Sequence, residues 1–94
     1  MMRRLLLALV LVPMSVFAQI NTERVMLMGR NALYYEDYVL SIQRFNMVIS
    51  AKPWLFEPYF YRAVAKFYLE DFQGAEIDCT QAIDRNPYSM DCYT

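Results

Sequence analysis

YYEDYVLSIQRFNMVISAKP, residues 34–53, and YLEDFQGAEIDCTQAIDRNP, residues 68–87, share one frame: a tyrosine, then Glu-Asp-aromatic, then a closing proline. Asp37 and Asp71 lie 34 residues apart (71 − 37), and so do Pro53 and Pro87 (87 − 53). The same offset pairs Glu23 with Glu57, Ile49 with Ile83, and Tyr59 with Tyr93. It also pairs residues of similar kind: Gly29 with Ala63, Ser41 with Ala75, Val48 with Ala82. Small residues matter because two helices approach closely only where side chains are short. A period of 34 with small residues at fixed places predicts an all-α fold, a helix–turn–helix solenoid.

Working outward from that frame, Asn21 and Thr22 are suited to start a first helix, with Glu23 favourable in its first turn. Val25, Met28, Ala32 and Tyr35 fall at helical spacing and predict its buried stripe. Glu36-Asp37 interrupts, and Asp37 can accept from the free N–H groups that open the next helix. Tyr38, Ser41, Ile42, Phe45, Val48 and Ile49 predict the stripe of the second helix. Pro53 ends it and drives Lys52 out of helical geometry. Pro58 suits the first turn of a third helix, expected over about residues 57–69, where a missing N–H costs nothing. A fourth is expected from Phe72 to Asp84 with the stripe Phe72, Ala75, Cys79, Ala82 and Ile83. Met90 to Thr94 reads as the first turn of a fifth.

The first eighteen residues read differently. Arg3-Arg4 precedes eight apolar residues, Leu5 to Val12, then Pro13 and the small-residue ending Val16-Phe17-Ala18. A charged start, a short apolar core and such an ending predict a secretory signal peptide cut after Ala18. The competing reading is a membrane anchor, but the apolar stretch falls short of the roughly 20 residues that a span needs. The units expected are therefore 1–18, a signal peptide; 19–53 and 54–87, two repeats; and 88–94, the start of a truncated third. The mature chain carries seven basic and ten acidic groups, a net charge of −3, and is expected to be periplasmic or extracellular.

Composition excludes several functions. With 57% hydrophobic and 16% aromatic residues the chain is not disordered by composition. A near-neutral to acidic balance offers nucleic acid little attraction. Histidine is absent, removing the usual general base and the commonest metal ligand. Two glycines cannot build a phosphate-cradling loop. No cofactor, metal or catalytic residue is expected, and the chain is read as non-enzymatic. The pairs Glu36-Asp37 and Glu70-Asp71 share one phase of the repeat, which assigns them to helix capping rather than acid/base chemistry.

With these residues in place the chain resembles a tetratricopeptide repeat protein. Gly29, Asp37-Tyr38, Ser41, Phe45, Val48 and Pro53 match the motif in one unit; Tyr59, Ala63, Asp71-Phe72, Ala75, Ala82 and Pro87 match it in the other. Val25 stands where an early aromatic is usual, Val48 where a small residue is, Cys79 where an aromatic is, and Lys66 departs as well. The resemblance implies that the first helix of each unit lines a concave groove that binds protein segments. By position, that groove receives Met26, Leu27, Arg30, Leu33 and Tyr34 from one unit, and Phe60, Tyr61, Val64, Phe67 and Tyr68 from the other. Tyrosines give such a face large contact area with a polar tip. The alternative is that some of these rings pack against further repeats of the same chain. The docking end of a longer exported protein, whose later part carries enzymatic, sensing or envelope-assembly function, is the companion reading. The apolar end face also permits self-association. Cys79 and Cys92 are read either as a disulfide, permitted by export, or as two small buried hydrophobes.

Overall fold

The computed structural model describes residues 20–88. The expected signal peptide, all but Tyr88 of the third-repeat start, and Cys92 lie outside them. Four helices account for most of the described chain: α1 (Thr22–Tyr34), α2 (Tyr38–Ala51), α3 (Glu57–Tyr68) and α4 (Phe72–Arg85). Each packs on the next in chain order, and α1 also touches α3. The architecture is all-α, as expected. Among the described residues no helix is long and apolar enough to cross a membrane.

The two short turns, between α1 and α2 and between α3 and α4, are built identically. Glu36 and Glu70 adopt left-handed backbone, φ 64° and 65°. Around Glu36, the Asp37 N–H donates to the Ala32 carbonyl at 2.8 Å and the Glu36 N–H to the Leu33 carbonyl at 3.0 Å. Around Glu70, Asp71 donates to Lys66 and Glu70 to Phe67, both at 2.9 Å. This is the Schellman closure, which satisfies the carbonyls a helix end leaves open. The aspartate carboxylate then opens the following helix: Asp37 accepts from the Leu40 N–H at 3.3 Å, and Asp71 from the Gly74 N–H at 2.9 Å. Capping was expected; the left-handed glutamates were not, because glycine is the residue that usually fills such a position.

The starts of α1 and α3 differ for a chemical reason. Asn21 caps α1 by accepting from the Arg24 N–H at 3.1 Å. One period later Leu55 stands at the position of Asn21 and Pro58, which has no N–H, at that of Arg24, and α3 has Phe56 as its N-cap with no side-chain cap. Pro53 has the predicted effect on its neighbour, since Lys52 ends α2 at φ −138°, ψ 75°. The Pro53 carbonyl is then held by α4, accepting from Arg85 Nε at 2.6 Å. The Arg85 guanidinium lies over the buried Tyr59 ring at 4.1 Å, a cation–π contact that ties the linker to both α3 and α4.

Packing uses the small residues where they were expected. Phe45, fully buried, occupies the space that Gly29 leaves open: a methyl on Gly29 would sit 2.6 Å from the ring. One unit later the sizes are redistributed, with Ala63 facing Cys79 in a buried cluster completed by Ala75. The aromatic missing at Cys79 is thus matched by a larger residue on the opposite helix. Two expectations are corrected. Met28 (41% exposed) and Tyr35 (78%) do not belong to the buried stripe of α1, which turns Thr22, Gly29 and Ala32 inward instead. A helical-spacing count let the bulkier apolar residues stand for the stripe, whereas close approach to α2 selects the small ones. Phe72, the first residue of α4, is 57% exposed, and its ring meets that of Phe67 with centroids 5.3 Å apart.

Two stability outcomes follow. Glu70→Gly removes a side chain from left-handed backbone, a conformation costing roughly 1–2 kcal/mol for an L-residue, partly offset by the freer unfolded chain. The net expectation is a gain of about 0.5 kcal/mol in urea unfolding. Gly29→Ala should instead destabilise by about 1 kcal/mol, since overpacking against an immobile ring outweighs the helix-propensity gain. A stabilised Gly29→Ala protein would show that the Phe45 ring can move.

Candidate groove between the first and third helices

Side chains of α1 and α3 define an open groove with two basins. The first, about 540 Å³, is walled by Met26, Leu27 and Arg30 of α1, by Val48 and Lys52 of α2, and by Tyr61 of α3. Glu23 and Glu57 stand on its walls beside Leu55 and Thr22. The second, about 410 Å³, joins Arg30, Leu33 and Tyr34 to Tyr61, Val64 and Tyr68, with Glu36 and Tyr38 contributed by the turn and the start of α2. Both volumes fall in the range of ordinary binding clefts.

Arg30 and Tyr61 belong to both basins. The Arg30 guanidinium lies 5.3 Å from the Tyr61 centroid, while the Tyr61 ring stacks on buried Phe45 at 5.8 Å. The core therefore sets the position of the ridge between the basins. Arg30 takes part in neither of the ion pairs found among the described residues, although Glu23, Glu36 and Glu57 stand along the same groove. In the second basin Tyr38 and Tyr68 stack with centroids 5.2 Å apart and planes 7° from parallel. Burial first, then the Glu36 carboxylate and Tyr68, push the Tyr38 phenol above its ordinary value.

Eight of the ten groove residues expected from the sequence line these basins. Phe60 and Phe67 line neither: Phe60 meets the Tyr61 edge at 5.3 Å, and Phe67 faces Phe72. Eight further residues line the basins without being expected there: Thr22, Glu23, Val48, Lys52, Leu55 and Glu57 in the first, Glu36 and Tyr38 in the second. The spacing predicts Tyr38 in the buried stripe of the second helix, and no local pattern reveals a stack with a ring 30 residues away (68 − 38). Buried Cys79 is not a free thiol, and its expected partner Cys92 falls outside the described residues. Among the described residues no group of three or more His, Cys, Asp and Glu is placed to hold a metal ion.

On the α3–α4 side, a charged cluster fixes the helix that supplies half the groove. Asp78 is 1% exposed and accepts from Arg62 Nε at 2.8 Å and from its terminal nitrogen at 2.6 Å, a bidentate pair. Lys66 Nζ adds a third contact at 2.9 Å, and Arg62 also donates to Asn46 Oδ1 of α2 at 2.7 Å. The buried carboxylate thus joins α4 to α3, and Arg62 extends the link to α2. Nothing in the first unit corresponds to it, since Arg44 stands at the position of Asp78 and Met28 at that of Arg62.

No protein-family model matches the chain, and no curated protein is similar enough to count as a relative.

Removing one partner of a buried ion pair leaves the other charges without compensation, at a cost of about 3 kcal/mol. Asp78→Ala is therefore expected to lower the denaturant midpoint by that equivalent, measured by far-UV circular dichroism. A change below about 1 kcal/mol, the size expected of an exposed pair, would mean that the cluster is solvated in solution.

Proposed function

We propose that this chain is an exported, non-catalytic interaction scaffold of the tetratricopeptide type, which holds a segment of a partner protein in the groove between α1 and α3. The observation that carries this reading is the convergence of α1 and α3 side chains on two basins divided by the Arg30–Tyr61 ridge. The 34-residue recurrence of caps, left-handed glutamates and helix ends supports the repeat assignment. The exposed rings of Tyr34 and Tyr68, with Leu27, give the groove an apolar lining of the kind that marks interaction sites. Export rests on the pattern of the first eighteen residues.

A second reading has its own observation. Phe60 and Phe67 stand one period after Met26 and Leu33, which look across the basins to α3. Their place on α3 suits a face presented to a further helical unit, as in the docking end of a longer protein.

Groove binding is tested with peptides selected by display against the chain. Tyr34→Ala together with Tyr68→Ala should weaken them by about tenfold or more, since truncated aromatic anchors commonly cost over 1 kcal/mol. Trp54→Ala, an exposed ring on the linker outside both basins, should leave them unchanged. The opposite pattern would move the binding surface away from the groove.

A further inference from the structure

Resting on the groove assignment above, we propose that the second basin takes an extended, proline-containing segment carrying an acidic side chain, bound in the polyproline II conformation with its carboxylate on Arg30. The lining favours this occupant over a helix. An α-helix with side chains is roughly 10–12 Å across and needs a broad aliphatic trough. This basin holds about 410 Å³ and draws four tyrosines into it, Tyr34, Tyr38, Tyr61 and Tyr68. Flat aromatic faces accept pyrrolidine rings, and a polyproline II backbone has no internal hydrogen bonds, so its carbonyls are open to phenol hydroxyls. Such a ligand is also already extended before it binds, which lowers the ordering cost.

The rings are arranged for that task. Tyr61 is fixed from behind by Phe45, and Tyr68 is braced by the nearly parallel Tyr38. Tyr34, at the rim, is 81% exposed and meets Tyr35 edge-on. Charge selects the side chain. The Arg30 guanidinium lines the basin over the Tyr61 ring, 5.3 Å from its centroid, with no carboxylate at ion-pair distance among the described residues. A ligand carboxylate there completes a charge-assisted pair. Glu36 on the same basin disfavours a second acidic residue toward the turn, which gives the ligand a direction.

The test uses the full chain and four synthetic peptides: prolines around a single glutamate, the same with alanine for proline, the same with lysine for glutamate, and an amphipathic helix former. Binding is followed by calorimetry and by amide shifts of the ¹⁵N-labelled protein. The proline–glutamate peptide should bind best, about tenfold tighter than its alanine and lysine counterparts, with shifts at Tyr34, Tyr61 and Tyr68. Arg30→Glu, an exposed substitution that leaves the core intact, should reverse the preference between glutamate and lysine. Equal binding of the alanine peptide, or tighter binding of the helix former, overturns this inference while leaving the groove as a binding site. An absence of any shift in the groove overturns both.

Discussion

Asp37 and Asp71 each serve two helices at once. The backbone N–H closes the helix before, and the carboxylate opens the helix after. No residue of slack remains between these two duties, so the turn's hydrogen bonds constrain the direction in which α2 leaves α1. The same holds one period later for α4 and α3. Everything downstream inherits that constraint: the face on which Gly29 meets Phe45, the cluster of Ala63, Ala75 and Cys79, and the approach of α1 to α3 that creates the groove. The left-handed glutamates show how strongly the turn is determined. A conformation that disfavours side chains is adopted at both Glu36 and Glu70 because the hydrogen bonds on either side require it.

The groove is a product of this scaffold and of a few residues that do not form it. Phe45 backs Tyr61, Tyr61 carries Arg30, and the Asp78 cluster holds α3 against its neighbours. The chain of support runs from buried ring to exposed guanidinium without passing through a flexible loop. A surface built this way would lose little freedom on engaging a ligand. The exposed tyrosines add area with few rotatable bonds, which serves the same end.

Much of this was legible before any coordinates. Helix positions followed from Asn21, Asp37, Pro53, Pro58 and Asp71, because caps and prolines act within a turn of where they stand. Eight of the ten residues that the tetratricopeptide resemblance implied for a groove lie together around the two basins, because repeat-equivalent positions share a helix face. What escaped was non-local or a matter of degree. Asp78 reads as one more polar residue on α4 until Arg62 and Lys66 arrive from another helix. The stack of Tyr38 on Tyr68 depends on how one pair sits against the next. Met28 and Tyr35 misled because periodicity marks a face, while the width of that face is decided by the partner.

The exchange of sizes between Gly29–Phe45 and Ala63–Cys79 has a consequence for how the chain finds its structure. Two hairpins of one design invite each helix to pair with the wrong partner, a common failure of tandem arrays. Here a crossed pairing would drive the Ala63 methyl into the Phe45 ring and leave Cys79 opposite an empty space at Gly29. The buried Asp78 would likewise face Met28 where Arg62 belongs. The units are alike enough to share a fold and unlike enough that neither can substitute for the other. Similar halves thereby assemble in a single order.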